Sequence, residues 1–461
     1  MLSELTMIAG MLREQSRTAH LSPEEREARR LEKFRRLVRH ANEHSPFYRD
    51  IIASHGIDIA TARPEDFPVL DKTTLMANFD RIVTDRRITR QGITDFLVTS
   101  KEPSDRFLDR YRVIHTSGTS GEVGYFLYSP DDWLRGMLSA GFRSQRARIR
   151  RPRHLGRLRF AFYGATGGHF AGITTATSTS EGVASLFVKT QAFEINRPMP
   201  ETVAGLNHFR PDVLTGYTAA LKMLAEKQRE GLLRIKPLSI GATGETVTKA
   251  DMEYLSSVFG GAQVTSAYGC TEHLALGASD PGGETMTLFD SDLMFEFRED
   301  HSLVTNLFNY TMPLIRYRMS DILIPVEQLD RSRLVVRNLV GRSEKMPTFL
   351  NARGERDFIS AHIIVEVFVP GVPRFQMHLT GPERFKFLVV LDTTLDAPGK
   401  ARAIYGVKAE LDRILSQKGL SNVKFDVVPV EDLPVDPRTR KFRLIIDERP
   451  DNWFEQARPA A

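Results

Sequence analysis

The chain reads as an α/β protein. A large N-terminal domain of layered, mostly parallel sheets carries a small antiparallel or barrel part, and a small α+β domain follows it. Three observations predict this. Strand–loop–helix units repeat between residues 157 and 273. From about residue 284 the texture changes to short alternating stretches such as "LMFEFRE" and "LVTNLFN", as in an antiparallel sheet. After residue 341 the order becomes β-β-α-β. The 461 residues suit two to three domains at about 150 each, and the division expected is 1–340 and 341–461.

Taken in order, the first helix expected is "SPEEREARRLEKFRRLVRHA". Ser22 is the N-cap, Pro23 suits the first helical position, and Glu25 completes a capping box. Leu31, Phe34, Leu37, Val38 and Ala41 form its apolar stripe, and Pro46 ends it. Ser129, Pro130 and Asp132 start a second helix in the same way. "RLRFAFYGA" (157–165) is a strand running into a loop. "DVLTGYTAALKMLAEKQREG" is a strand, a glycine turn and a helix. "KPLSIGATGE", "KADMEYLSSVFG" and "AQVTSAYGCTEH" repeat strand, helix and strand. Ligands of such sheets bind beyond the carboxyl ends of the strands. In the last 120 or so residues, "RFQMHLTGPERFKFLVVLD" is a hairpin around Gly381-Pro382. "KARAIYGVKAELDRILSQKG" is a helix closed by Gly419, and "VKFDVVPV" is a strand.

Composition narrows the function. The chain is 41% hydrophobic and 26% charged, ordinary for a soluble globular protein. No apolar run approaches the ~18 residues of a membrane helix. "MLSELTMIAGMLREQSR" has no basic segment ahead of its apolar patch, so no secretory signal is expected. One cysteine, Cys270, excludes a disulfide framework and a cysteine zinc cluster within the chain, and fits a cytoplasmic location. Net charge is +5, and the dense block 143–160 holds eight arginines. Without a nucleic-acid motif it reads as solvated surface, and no nucleic acid is expected as partner. No G-x-S-x-G or H-E-x-x-H supports a hydrolase.

"HTSGTSGEVGYF" (115–126) joins glycines to hydroxyl side chains, which together can cradle an anion, but it lacks the lysine of a Walker loop. By itself it is equally a polar turn. "YGCTE" (268–272), "RYRMSD" (316–321), "GRSEK" (341–345) and "RTRKFRLIID" (438–447) follow in that order. Together they resemble the adenylate-forming superfamily of acyl-CoA synthetases, and "FYGATGGHFAG", "FRPDVLTGYTAAL" and the N-terminal helix resemble its phenylacetate–CoA ligase branch. The resemblance covers nearly the whole chain.

It implies an enzyme that joins a carboxylate to the α-phosphate of ATP and passes the acyl group to a thiol, usually that of CoA. Thr116, Ser117, Gly118, Thr119, Ser120 and Gly121 would cradle the β- and γ-phosphates. Gly244 and Glu245 would border the adenine, with Tyr268 and Gly269 between the adenine and acyl pockets. Thr271 would bond the α-phosphate, and Glu272 would help hold Mg²⁺, a hard cation suited to carboxylate and phosphate oxygens; the plain alternative for Glu272 is a helix-terminal charge. Asp321 and Arg342 would hold the ribose, although Asp321 could equally pair with Arg316 or Arg318. Lys441 would approach both the acyl carboxylate and the α-phosphate as a compact charge, the competing view being a surface lysine beside Arg440 and Arg443. Glu344 occupies the hinge about which the small domain would rotate. Tyr163, Gly164, His169, Phe170 and Tyr217 would line the acid pocket, though phenylalanines there serve a core equally well.

Four departures qualify the expectation. Glu122-Val123 stands where the family's phosphate loop often carries Lys or Arg, and Ser320 where it usually has Gly. "HLALGASDPGGET" has no cysteines after the "YGCTE" motif, so no structural zinc is expected. The segment "MPTFLNARGERDFIS" does not align with CoA-facing residues, so the acceptor is CoA, a carrier-protein thiol or an amine. The partners expected are thus a small carboxylic acid, CoA or a carrier protein, with a homodimer left open. The altered loop also admits a nucleotide-binding relative without turnover.

Overall fold

The computed structural model describes residues 2–18, 21–100, 102–116, 123–144, 156–244, 247–280, 283–299, 301–319, 321–326, 333–337, 347–359, 363–364, 367, 369–434, 444–450 and 453–456. The expected domain boundary at 340/341 and most of the arginine block lie outside these residues.

The chain opens with α1 (Leu2–Thr18), α2 (Pro23–His44), α3 (Pro46–His55), α4 (Lys72–Ala77), α5 (Phe79–Ile82) and α6 (Arg90–Thr99). The hairpin of β1 (Arg112–His115) and β2 (Tyr125–Tyr128) follows, then α7 (Pro130–Ser144). Next come β3 (Leu158–Gly164), α8 (Ala171–Ser178), β4 (Val188–Glu194), α9 (Met199–Phe209), β5 (Val213–Tyr217), α10 (Thr218–Arg229), β6 (Ser239–Thr243), α11 (Lys249–Val258) and β7 (Gln263–Cys270). Short strands then dominate: β8 (Leu274–Ser279), β9 (Thr285–Leu288), β10 (Leu293–Phe297), β11 (Ser302–Asn306), β12 (Tyr317–Met319) and β13 (Val335–Arg337). The remainder holds β14 (Thr348–Leu350), β15 (Arg356–Phe358), β16 (Arg374–Gly381), β17 (Arg384–Val390), α12 (Ala397–Lys418), β18 (Lys424–Pro429), β19 (Ile445–Asp447) and α13 (Trp453–Gln456).

Local signals act where expected. Glu25 N donates to Ser22 Oγ while Glu25 Oε2 accepts from Ser22 N, closing the capping box of α2, and the five expected stripe residues are buried. Ser129 and Asp132 cap α7 reciprocally, and Asp132 also accepts from the Tyr310 and Thr311 backbone N–H groups, tying the helix to a distant turn. Gly419 closes α12 at φ 77°, where a side chain would be strained. Several helices were not expected, among them α1, α3, α4, α5, α6, α8 and α9. α1 precedes α2, and α3 begins at Pro46 itself, because Ser45 ends one helix and caps the next, accepting from Tyr48 N.

The main sheet has the order β13-β9-β8-β7-β6-β5-β3-β4. Strands β3 to β7 pair in parallel, and β8, β9 and β13 continue the sheet antiparallel. The carboxyl ends of β3, β5, β6 and β7 therefore stand in one row. The antiparallel sheet β10-β11-β12 is the separate small part that the alternating stretches predict. The last sheet, β18-β17-β16-β19, carries the hairpin around Gly381 and the helix α12.

α12 ends against the main sheet. Lys418, almost completely buried, donates through Nζ to the carbonyls of Ile195 and Arg197 at 2.9 Å each, in the turn after β4. Its ammonium lies 3.3 Å from the buried Asp357 carboxylate and over the Phe358 ring. Asn196 Nδ2 donates to Ile414 O from the same turn. One apolar core accordingly runs from Leu206 and Leu221 under the main sheet to Val407 and Leu411 of α12.

Candidate active site

The site is built from the β1–β2 hairpin and the turn after β7. Thr116 closes the neck of the glycine loop twice over: its N–H donates to Gly124 O, and its Oγ1 accepts from Gly124 N at 2.8 Å. A Cβ on Gly124 would stand 3.1 Å from Lys72 Cε and 3.0 Å from the Phe126 ring, so the lysine of α4 lies flush against that neck. Lys72 also acts electrostatically on Glu272. Sequence reasoning passed over Lys72. Its signal was slight, a lysine one residue after the N-cap Asp71 of a six-residue helix.

The turn after β7 is held from below. Tyr128 Oη donates to the carbonyls of Thr271 and Glu272 at 3.0 and 2.8 Å, fixing both residues over the hairpin. A Cβ on Gly269 would lie 2.7 Å from Leu274 O, so only glycine lets β7 and β8 approach this closely. Tyr268 Oη donates to Asp321 Oδ2 at 2.8 Å. Arg316 is engaged elsewhere, on Glu296 and the Phe67 carbonyl, and so does not partner Asp321. Burial raises the Glu272 carboxyl above the usual carboxylate range, while Lys72 pulls it back. Burial pushes the Cys270 thiol well up as well, which makes it a poor nucleophile.

Around the ends of β3 and β5 a second patch forms. Phe162 Cζ stands 3.2 Å from the position of a Cβ on Gly172, and Tyr217 Oη 3.9 Å from it. On Gly164 such a Cβ would strike the Phe162 ring at 2.6 Å, so Gly164 leaves the ring its space. Phe170 packs on His115, ring centroids 4.5 Å apart, which links this patch to Thr116.

Two expected pocket residues point elsewhere. Tyr163 alternates with Phe162 and Gly164 along β3, so its ring enters the opposite face and is fully buried in the main core. His169 is 1% exposed and turned toward α6: Nε2 lies 2.7 Å from Ser100 Oγ, which donates to Asp105, and the ring packs on Phe96. Its glycine neighbours suggested an open loop, and the hydrogen bond to Ser100 decides otherwise.

Solved structures share this architecture. 2-Hydroxyisobutyryl-CoA ligase, in complex with 2-HIB-AMP and CoA in the thioesterification state, aligns over 94% of this chain and 92% of its own, with a TM-score of 0.57 and 18% identity. The same enzyme in the postadenylation state with 2-HIB-AMP aligns over 93% of this chain and 91% of its own, at a TM-score of 0.50 and 17% identity. The fold is that of 2-hydroxyisobutyryl-CoA ligase. No protein-family model matches the chain, and no curated protein matches it in sequence.

Within this fold, Tyr268, Gly269, Thr271, Glu272, Asp321 and Thr116 come together with Lys72 at the carboxyl end of β7. Gly244, at φ 78°, turns the chain at the neighbouring end of β6. Ser117, Gly118, Thr119, Ser120, Gly121, Glu245, Arg342, Glu344 and Lys441 lie outside the described residues. Among the described residues no group of three or more His, Cys, Asp or Glu side chains could hold a metal ion. A lone hard carboxylate such as Glu272 does fit Mg²⁺, which takes one or two protein carboxylates and fills its other positions with water and phosphate oxygens.

His273, the next residue, is fully buried beside Tyr317, and among the described residues neither ring nitrogen has a hydrogen-bond partner. Burial lowers its pKa to about 3, so the ring is neutral. A buried donor and acceptor left unmade cost about 1–3 kcal/mol. His273→Leu, close in volume, is therefore expected to raise stability by about 1 kcal/mol. A thermal melt checks this, and a lowered midpoint would mean that the ring has a partner.

Proposed function

We propose that the protein is an ATP-dependent carboxylic acid–CoA ligase of the phenylacetate–CoA ligase type, acting on an aryl or similar acid in the cytoplasm. The observation that carries this reading is the bond from Tyr268 to Asp321 beside Glu272 and Lys72, at the mouth of the loop closed by Thr116. A purine and ribose set against Tyr268 and Asp321 put the triphosphate toward that loop. Asp321 accepts from the ribose hydroxyls, with Tyr268 holding the carboxylate in place. Thr116, bonded to Gly124, closes the neck of that loop, whose backbone donors would cradle the phosphates.

Joining carboxylate to phosphate sets two anions together, so the residues around them must supply positive charge and N–H donors. Lys72 stands beside a loop that carries Glu122 where the family often has a cation, and it offsets that loss. Mg²⁺, when bound by Glu272 and phosphate oxygens, would neutralise further charge. Lys441 would approach the acyl oxygen and the α-phosphate. The acid itself would lie against Phe162, Tyr217 and Phe170, apolar walls suited to a ring. Rotation about Glu344 would then present a different face of the small domain for transfer to the thiol. 2-Hydroxyisobutyryl-CoA ligase, which shares this fold, is solved with CoA bound, and this supports CoA as the acceptor.

Glu122 also favours a second reading, a nucleotide-binding relative without turnover. Acid-dependent ATP–pyrophosphate exchange over a panel of aryl and short-chain acids separates the two. The ligase reading expects exchange with at least one acid, followed by a thioester when CoA is added. Mg²⁺–ATP binding with no exchange across the panel would leave the second reading. Exchange without thioester would point to a carrier-protein thiol or an amine.

A further inference from the structure

We propose that Gln376, His378 and Glu448 form a positioning chain that holds the two stems of the segment bearing Lys441. The proposal rests on the reading of Lys441 as the adenylation lysine. It starts from strand alternation. Met377 and Leu379 of β16 are fully buried in the core that includes Val407 and Leu411, so Gln376 and His378 project from the other face of the sheet. The outer face of a four-stranded sheet ordinarily meets water. Here Gln376 is fully buried and His378 nearly so.

Both side chains are spent on the chain that enters and leaves residues 435–443. Gln376 Nε2 donates to Pro434 O at 2.9 Å, on the entering stem. His378 Nδ1 meets Glu448 Oε1 at 2.6 Å, on the leaving stem. His378 Nε2 and Gln376 Oε1, 2.9 Å apart, join the two halves. On the leaving side the backbone adds bonds from Met377 N to Leu444 O and from Glu448 N to Leu379 O. The side-chain relay thus spans from one stem to the other.

Hydrogen-bond chemistry assigns the orientation of the Gln376 amide. The Pro434 carbonyl only accepts, so it draws the amide nitrogen of Gln376 and leaves Oε1 facing the imidazole. The Glu448 carboxylate also only accepts. The two ring nitrogens of His378 thus face an oxygen each, one from Glu448 and one from Gln376. Lys386, its cross-strand neighbour on β17, is exposed, and Glu448 is the carboxylate in contact. One ring thereby ties two side chains on different segments together.

The test compares His378→Leu and Glu448→Ala with the full-length protein; Glu448 is half-exposed, so its loss spares the core. In limited trypsin digestion, cleavage after Arg438, Arg440, Lys441 and Arg443 is expected to be about fivefold faster or more in both variants, with other sites unchanged. The kcat of acid-dependent ATP–pyrophosphate exchange is expected to fall about 10- to 100-fold, with KM for ATP unaltered. Transfer to CoA from supplied acyl-adenylate should stay within about twofold. Unchanged cleavage of the segment overturns the proposal whatever the activity does. Faster cleavage along the whole chain, or equal loss of both half-reactions, overturns it too, since that marks general unfolding. A wild-type protein silent in exchange, with segment cleavage still faster in the variants, would overturn the adenylation reading while supporting the hold itself.

Discussion

Lys418→Ala is expected to destabilise the protein by about 3–5 kcal/mol. The ammonium is fully buried, 3.3 Å from an Asp357 carboxylate that is itself only 5% exposed. Truncation leaves that carboxylate charged, dry and unpaired, which is the costly way to break a buried ion pair. It also strips the Ile195 and Arg197 carbonyls of their donor. Removing the carboxylate as well, in Lys418→Met with Asp357→Leu, should recover more than half of the loss, because two apolar side chains owe no desolvation. Chemical denaturation of the single and double variants gives the coupling directly. A single variant within about 1 kcal/mol of wild type would mean that the contact between α12 and the turn after β4 carries little of the fold.

Lys441→Ala is expected to lower acid-dependent ATP–pyrophosphate exchange by about 100- to 1,000-fold, the scale of losing one charge-stabilising donor. Overall stability should not change, since the side chain lies in a run of basic residues, "RTRKFR". Lys441→Arg should not restore the rate, because a planar guanidinium does not fit between two oxygens as a compact ammonium does. Arg443→Ala, two positions on, serves as the control for a general loss of basic charge. Exchange at the wild-type rate in Lys441→Ala would shift the role to another cation, with Lys72 the first to examine.

Features that depend on neighbours along the chain were legible early. Ser22 and Glu25 are three residues apart, and their capping box needs nothing beyond the first turn of α2. Gly419 ends α12 for a reason local to one backbone torsion. The order of strands and helices from 157 to 273 announced parallel pairing, since each strand is returned to the same edge by the helix that follows. Tyr268, Thr271, Glu272 and Asp321 could be selected as site residues because a resemblance in motif order placed them, although the chain separates Asp321 from Tyr268 by more than fifty positions.

Features that depend on contacts across the fold were not. Tyr163 and Phe162 are equivalent in composition, and only the pleat of β3 decides which one faces the core. His169 looked like a polar tip on an open loop until Ser100, 69 positions away, was seen to bind it. Lys72, Lys418 and His378 are ordinary residues in their local sequence. Each acquires its role from a partner on a distant element: the neck at Gly124, the turn after β4, and the stems at Pro434 and Glu448.

The sequence by itself determined the α/β class, the register of apolar stripes, the helix caps and the order of the chemical motifs, because short-range sterics and hydrogen bonds specify these. Only the tertiary structure decided which side chains share the site, that α12 locks onto the main sheet through a buried lysine, and that a histidine ring joins two stems. Those outcomes depend on burial and on directional contacts between segments far apart in the chain, and neither is written in any local pattern.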